Sequence, residues 1–195
     1  MKDIFEFTLV LDGVDEKTEN LEDNLFEAGC DDALINFRNG TVYLDFDREE
    51  DSLENAVLSA IQAVESCGLG AKVIRILPDD LVSISDIAKR LDKDRQLVSL
   101  WVKGERRDKR SPFPAPVLKL SEKSPMWRWY SVVKWLNDQN IIQDNKILER
   151  AKFVENINAV LEERDPEIKK YRHTLLDKLE HLQSSNMKAG YQKHH

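Results

Sequence analysis

The sequence lacks the features of several protein classes. Cys30 and Cys67 are the only cysteines, which excludes a disulfide scaffold and favours two buried thiols in a reducing compartment over a bridge. No apolar run approaches the roughly 20 residues that a membrane-spanning helix needs. The first residues, Met1 to Ile4, lack the basic region and apolar stretch of a signal peptide. We therefore expect a cytoplasmic protein with no membrane contact.

Signatures of common catalytic sites are also missing. Neither a phosphate-binding G-x-x-x-x-G-K-[ST] loop nor a G-x-S-x-G nucleophile motif occurs. Dense carboxylate sets occur at only two places, Asp31–Asp32 and Asp45–Asp47–Glu49. No histidine stands near either set to complete a metal or acid–base site, so solvated strand ends are the favoured interpretation. We expect no catalytic residue, no metal site and no cofactor; a ferredoxin-like enzyme is the least favoured alternative.

Charge is present in quantity but is unevenly distributed. The 195 residues carry 29 Lys and Arg against 36 Asp and Glu, for a net charge of −7. Residues 1–80 hold 6 basic and 20 acidic side chains (net −14), whereas residues 81–136 hold 13 and 6 (net +7). Residues 137–195 hold 10 of each. The net value therefore averages an acidic region with a basic one, and does not exclude binding to nucleic acid.

The first eighty residues predict six alternating elements. Apolar and β-branched alternation favours strands, and apolar spacings of three and four favour helices. Asn39–Gly40 lies between two alternating runs and predicts a tight hairpin, because both residues tolerate positive φ. The order β-α-β-β-α-β is typical of a ferredoxin-like domain. The predicted elements are Ile4–Leu11, Thr18–Ala28, Ala33–Phe37, Thr41–Phe46, Ser52–Cys67 and Lys72–Leu77.

A helix-turn-helix is predicted after the acidic region. Ser85 could cap a first helix that ends at Leu91, and Asp94 could cap a second helix that reaches Lys103. Ala88 in the first helix leaves room for a close crossing of the second. Val117–Leu120 and Met126–Trp129 then read as two strands, followed by a helix from about Ser131. This order predicts a winged helix-turn-helix whose tryptophans form its core.

The basic residues of this region suggest duplex DNA as a partner. Arg and Gln can bind guanine and adenine edges with two hydrogen bonds each, and the start of the second helix is the part that enters a major groove. The base-contact candidates are Arg95, Gln96 and Ser99. Basic side chains elsewhere would contact phosphates, which position the protein without reading sequence. The backbone-contact candidates are Lys103, Arg106, Arg107, Lys109 and Arg110, with Lys123 and Arg128 on the wing.

Residues 83–136 resemble the excisionase and MerR-type winged helix-turn-helix. The resemblance consists of a D-I-A-x-R-L first helix, an F-P-x-P-V segment and an R-W-x-x-x-x-V-x-x-W-L end. The matching residues are Asp86, Ile87, Ala88, Phe113, Pro114, Pro116, Val117, Arg128, Trp129, Val133, Trp135 and Leu136. The resemblance implies DNA binding, commonly as a dimer on a short repeat. The chain departs from it at Asp108–Ser111, where relatives tend to carry glycines, and no effector-binding domain is evident after the wing.

The C-terminal region is predicted to be helical. Narrow apolar seams, one with Asn158 and another through Ile168 and Leu182, suit either dimerisation or packing on the same chain. In the dimer, Asn158 would fix the register. The expected α+β chain thus has four parts: an acidic ferredoxin-like domain (1–79), a winged helix-turn-helix (80–140), a helical extension (141–186) and a disordered tail (187–195).

The favoured function is sequence-specific binding of double-stranded DNA, as a bacterial transcriptional regulator that acts as a repressor. A homodimer is expected, and the acidic domain could contact a partner protein. The alternative is an antitoxin or adaptor whose helix-turn-helix serves only autoregulation.

Overall fold

Seven helices and a four-stranded antiparallel sheet make up most of the described chain, so the fold is of the mixed α+β class. The computed structural model describes residues 2–78, 80–105, 111–118 and 124–191, with side chains to residue 182. Residues 1–158 form one compact unit and residues 159–195 a second. No helix among the described residues has the length and apolar character needed to cross a membrane.

The predicted order of the first six elements is confirmed. They are β1 (Asp3–Asp12), α1 (Leu21–Glu27), β2 (Ala33–Arg38), β3 (Thr41–Glu50), α2 (Leu53–Glu65) and β4 (Lys72–Leu77). The strands lie in the order β2-β3-β1-β4, and every neighbouring pair is antiparallel. β2 and β4 are therefore the two edges of the sheet.

One face of the sheet forms an apolar core. Alternate residues of β1 and β3 are buried, and α2 packs against both strands. Phe7 of β1 stacks on Phe46 of β3, with ring centroids 5.2 Å apart. The other buried residues on this face are Leu9, Leu11, Val42 and Leu44. Ser52 caps α2 as expected, accepting a hydrogen bond from the Asn55 N–H.

The hairpin predicted at Asn39–Gly40 is present. Asn39 has φ 53° and Gly40 has φ 78°, and Arg38 and Thr41 close the turn as register partners. Both turn residues thus take the left-handed conformation that a two-residue hairpin requires. The turn fixes which residues of β2 face the core, because a slip of one residue would reverse every side chain.

Residues 81–138, the basic region, contain five further elements: β5 (Leu81–Val82), α3 (Ile84–Arg90), α4 (Arg95–Val102), β6 (Trp127–Arg128) and α5 (Trp129–Asp138). β5, which the sequence pattern missed, pairs with β6. The predicted strand Met126–Trp129 is too long, because Trp129 already begins α5. Of the other predicted wing strand, Leu118 forms a bridge to Met126, and residues 119 and 120 lie outside the described residues.

The core of this region is built on aromatic rings, as predicted for the tryptophans. Trp127 is 1% exposed and Phe113 contacts it edge-on, with ring centroids 5.9 Å apart. The Trp127 Nε1–H donates to the Pro114 carbonyl at 2.9 Å. The Trp135 Nε1–H donates to the Ser111 carbonyl at 3.1 Å. The two tryptophans thereby hold the proline-containing segment 111–118 by its backbone.

The next helix, α6 (Asn145–Glu162), contacts the edge strand β4 through Asn158. The Asn158 side chain accepts from the Ile76 N–H at 2.8 Å and donates to the Ile76 carbonyl at 3.1 Å. An amide side chain carries one acceptor and two donors, so it can replace a strand neighbour here. This corrects the prediction that Asn158 fixes the register of a partner helix: its amide is used within its own chain.

The second unit contains α7 (Pro166–Tyr191), which Pro166 begins as predicted. Arg172 contacts Glu162 at 3.0 Å and Glu163 at 3.3 Å. The apolar residues of α7 are exposed, including Ile168, Leu175, Leu179 and Leu182. α7 extends into the segment 187–195 for which a disordered tail is expected, and residues 192–195 lie outside the described residues.

Candidate nucleic-acid interface

Two short helices and a tight turn form the scaffold of the site. Ser83, and not Ser85 as predicted, caps α3: its Oγ accepts from the Asp86 N–H while the Asp86 carboxylate accepts from the Ser83 N–H. This reciprocal arrangement is a capping box, and it satisfies two backbone donors at once. The signal was available in the sequence, because Ser83 and Asp86 have the required spacing.

The turn between the helices places α4 across α3. Asp92 takes φ 50° and the Lys93 N–H donates to the Ala88 carbonyl at 2.9 Å. Asp94 then caps α4 as predicted, with its carboxylate accepting from the Gln96 N–H at 2.7 Å. Ala88 is buried in the same apolar cluster as Val98 of α4, in agreement with the expected need for a small residue at the crossing.

The predicted base-contact residues share the outer side of α4. Val98 and Trp101 are buried, whereas Arg95 and Gln96 are exposed and Ser99 is half-buried. Lys103 at the C-terminal cap is also exposed. The 3.6-residue period of the helix therefore brings Arg95, Ser99 and Lys103 onto one surface, with Gln96 beside the first.

Two exposed basic residues near this surface were missed. Lys89 lies in the last turn of α3 and Lys93 in the turn before α4, and both are exposed. A lysine just before the helix that would enter a groove is placed to meet a phosphate. Arg90 differs from them, because its guanidinium lies over the Trp129 ring, 5.1 Å from the centroid.

Five of the predicted backbone contacts lie outside the described residues: Arg106, Arg107, Lys109, Arg110 and Lys123. Their contribution to a phosphate-binding surface stays a prediction from the sequence.

Arg128, predicted on the wing, lies in a network of charges within the chain. Its guanidinium is 3.5 Å from Asp80 and 3.4 Å from Glu155 of α6. Asp80 is 8% exposed and also contacts Arg75 of β4 at 2.5 Å. The network therefore joins β4, β6 and α6 through Asp80 and Arg128. The Arg128 side chain is 47% exposed, so it is accessible while being held by two carboxylates.

Local electrostatics affect two carboxyl groups near the site. Hydrogen bonds from the Ser83 side chain and backbone hold the pKa of Asp86 below its ordinary value, which keeps the capping box charged. Burial raises the pKa of Glu155, with the Arg128 charge opposing the effect and the Asp80 charge adding to it. One Glu155 carboxylate oxygen, Oε2, is buried with no hydrogen-bond partner among the described residues.

One carboxylate in each set of the acidic region has structural partners within the chain. Asp45 accepts from the Thr8 hydroxyl at 2.5 Å and from the Asn36 amide at 2.8 Å. Asp32 accepts from two nitrogens of the buried Arg48, at 2.7 and 2.8 Å. Among the described residues, no group of three His, Cys, Asp or Glu side chains is arranged to hold a metal ion.

Both cysteines are free and buried, with no bridge between them. Burial raises the pKa of the Cys30 thiol to about 11. A thiol that holds its proton at neutral pH is a poor nucleophile, so Cys30 has the chemistry of a core residue.

Comparison of the chain with protein-family models, with curated proteins and with solved structures finds no match.

Proposed function

We propose that residues 80–140 are a winged helix-turn-helix that binds double-stranded DNA, with α4 in the major groove. The observation that carries the proposal is the composition of the outer side of α4. Its first turn presents Arg95 and Gln96, the side chains with the hydrogen-bonding geometry for guanine and adenine edges, while Val98 and Trp101 anchor the opposite side.

Charge supports the same assignment. Residues 81–136 carry a net charge of +7, and the described part includes exposed Lys89, Lys93 and Lys103 around α4. Each phosphate that a lysine or arginine neutralises releases a condensed counterion, which favours binding by entropy. The acidic sheet region, at −14 over residues 1–80, would repel DNA that is not held by α4.

The described wing supports a more limited role than the one predicted for Arg128. Leu118 and Met126 bridge its two sides, and Arg128 stands at its base between Asp80 and Glu155. A guanidinium held by two carboxylates has less net charge to offer a phosphate. We propose that Arg128 mainly fixes the base of the wing, and that Lys123, which the sequence pattern assigns to the wing, is the better candidate for backbone contact.

The remaining parts of the proposal concern architecture and assembly. The strand order β2-β3-β1-β4 with two intervening helices supports a ferredoxin-like arrangement of residues 1–79. The exposed apolar side of α7 supports a homodimer through the C-terminal helix. A dimeric DNA-binding protein would act as a transcriptional regulator, and a repressor on a short operator is the form we propose.

The direct test is selection of bound duplexes from a random pool, carried out with the full chain at two salt concentrations. We expect a short consensus that survives the higher salt concentration, with two half-sites if the protein is a dimer. If the chain instead retains DNA with no consensus, and this binding is lost when the salt concentration is raised, sequence-specific recognition is contradicted.

Arg95→Ala tests the assigned reading surface. We expect its affinity for the selected site to fall by about 1–3 kcal/mol, and one position of the consensus to relax. Lys152→Ala is the matched control, because Lys152 is an exposed basic residue on α6 that the proposal does not use. Unchanged binding by the Arg95 variant would place the recognition surface elsewhere.

Arg107→Ala separates backbone contact from base reading. Loss of a phosphate contact should weaken all sequences alike and reduce the salt slope by about one. A changed consensus would instead mean that the basic loop reads bases.

The second candidate function is an antitoxin or adaptor whose DNA binding serves autoregulation. The observation that favours it is the exposed apolar surface of the acidic region, which includes Phe26, Leu34 and Phe37. A stable complex with the product of a neighbouring gene, formed at the same affinity by the Arg95 variant, would support this candidate.

A further inference from the structure

The outward backbone groups at the two edges of the four-stranded sheet differ in whether they have hydrogen-bond partners. At β4, the Asn158 amide satisfies the outward N–H and carbonyl of Ile76. Next to β4, the Arg150 guanidinium donates to the Glu6 carbonyl, on β1 beyond the point where β4 stops pairing with it. Exposed strand edges tend to pair with other chains, and covering an edge with side chains prevents this. One edge of the sheet is thus closed by α6.

The opposite edge, β2, has a strand neighbour on one side only. Asp32 and Asp47 are a hydrogen-bonded pair, since the Asp47 N–H donates to the Asp32 carbonyl at 3.1 Å. Hydrogen-bonded pairs alternate along an antiparallel ladder, so the N–H and carbonyl of Ile35 and of Phe37 point away from β3. Among the described residues, no other strand or side chain bonds to these outward groups.

Exposed apolar side chains accompany this free backbone. Phe26 of α1 is 65% exposed, Leu34 is 66% exposed and Phe37 is 42% exposed. A groove of about 260 Å³ lies between α1 and β2, with Leu25, Phe26 and Ile35 among its lining residues. A free edge that also carries large exposed apolar groups is an aggregation risk unless a partner uses it.

The charge around this edge defines what the partner can be. Residues 13–40 contain 8 acidic and 2 basic side chains, and Glu22 and Asp31 line the groove itself. On the other face of the sheet, Leu34 lies opposite Asp45 in the register, and Asp47 follows on the same side. A second copy of the chain would bring the same negative charge to the contact, which costs free energy. A basic segment is complementary to both faces.

We propose that the free edge of β2 binds an extended segment of a partner protein, in which apolar residues alternate with lysine or arginine. The segment pairs with the outward groups of Ile35 and Phe37 by strand addition. Because strand side chains alternate between faces, one set fills the groove beside Phe26 while the other extends over Leu34 towards Asp45. The segment needs only about five residues, the common length of a strand.

The test uses the full chain and a displayed library of random ten-residue peptides as the probe. We expect the enriched peptides to alternate apolar residues with lysine or arginine. The consensus peptide should bind at least tenfold more tightly than a scrambled peptide of the same composition, in which the two residue types no longer alternate. Enrichment of acidic peptides, of helical patterns or of no pattern would overturn the proposal.

Ile35→Pro tests the backbone pairing, because proline removes the outward N–H without removing a bond to β3. We expect at least a tenfold loss of affinity for the consensus peptide, whereas the control Ile35→Val should stay within twofold of the original chain. Equal binding by the proline variant would overturn strand addition.

If the proline variant fails to fold, strand addition can still be tested by methylating alternate backbone nitrogens of the consensus peptide. One of the two alternate methylation patterns should abolish binding and the other should leave it, because only one set of N–H groups faces β2. Equal effects of both patterns would overturn strand addition.

Sedimentation of the chain alone tests whether a second copy of the chain occupies the free edge of β2. If the original chain is a dimer that Ile35→Pro converts to a monomer, a second copy occupies the edge and the proposal is wrong. None of these measurements depends on DNA binding, so the two proposals can fail separately.

Discussion

The acidic sheet region and the basic region are stabilised in different ways. The sheet buries aliphatic residues and two stacked phenylalanines beneath its helices, in a broad core. The basic region has short helices and two-residue strands, and it depends on a cluster of aromatic rings with Trp127 at its centre. A small core of large rings leaves the outer sides of its helices free for charged residues. Each of the two oppositely charged surfaces thus lies on its own apolar core, and both cores belong to one compact unit.

The two regions are nevertheless connected by polar contacts. The Trp129 N–H donates to the Asp80 carbonyl at 2.6 Å, and the Asp80 carboxylate contacts Arg75. Asn158 adds the contact between α6 and β4. Because buried polar contacts are costly to break, we expect the two regions to unfold together.

Leu44→Ala is the strongest test of this connection. Leu44 is fully buried in the sheet core, so its truncation should lower the free energy of unfolding by about 2–5 kcal/mol. All four tryptophans lie between residues 101 and 135, so tryptophan fluorescence reports on the basic region. The fluorescence midpoint in urea should move together with the circular-dichroism midpoint. A fluorescence midpoint that does not move would show that the regions unfold independently.

Asn158→Ala tests the closed sheet edge. Its removal leaves the N–H and carbonyl of Ile76 without their partner in a buried place, at an expected cost of about 2–4 kcal/mol in the free energy of unfolding. Asn156→Ala is the control, because Asn156 is exposed on the same helix and should change stability by less than about 0.5 kcal/mol. Equal effects of the two substitutions, measured by urea denaturation, would contradict the assigned role.

Ser83→Ala probes the N-terminal cap of α3. Loss of the cap should cost about 1 kcal/mol in the free energy of unfolding. Ser85→Ala provides the comparison, since Ser85 is exposed inside α3 and caps nothing there. A larger effect at Ser85 than at Ser83 would restore the boundary that the sequence predicted.

Glu155→Gln should have the smallest effect, visible mainly in its pH dependence. The pKa of Glu155 is raised in the folded chain, so the folded state holds the proton more tightly than the unfolded state. Stability of the original chain should therefore fall as pH rises from the ordinary carboxyl pKa through the raised value. The Gln variant has no carboxyl group at this position to titrate. Its free energy of unfolding, compared with that of the original chain, should therefore increase as pH rises above the ordinary carboxyl pKa. A difference that is constant with pH would contradict the raised pKa.

Much of the fold could be predicted from the sequence because turns, helix caps and buried strand faces are determined by residues close together in the chain. Asn39–Gly40 dictates its own turn, Asp94 caps the helix that follows it, and alternation in β1 and β3 identifies their buried faces. The cap of α3 is Ser83 and not the predicted Ser85. Its signal is also local, because Ser83 and Asp86 have the three-residue spacing of a capping box.

Long-range features could not be predicted in the same way. Asn158 lies 82 residues from Ile76, and nothing near it in sequence indicates a bond to a strand edge. Arg128 was assigned to DNA because it is basic, whereas its contacts with Asp80 and Glu155 depend on the packing of α6. The base-contact surface of α4 was accessible to prediction, because one helical period determines which residues share a side.

The short pairing of β5 with β6 has a consequence for how this chain can change in evolution. Val82 and Trp127 are register partners, so the intervening segment leaves and re-enters the fold at nearly the same point. An insertion or deletion between residues 83 and 126 then leaves the two ends of that segment where the pairing of β5 with β6 holds them. A change in the length of this segment is therefore compatible with an unchanged β5–β6 pair and an unchanged start of α5.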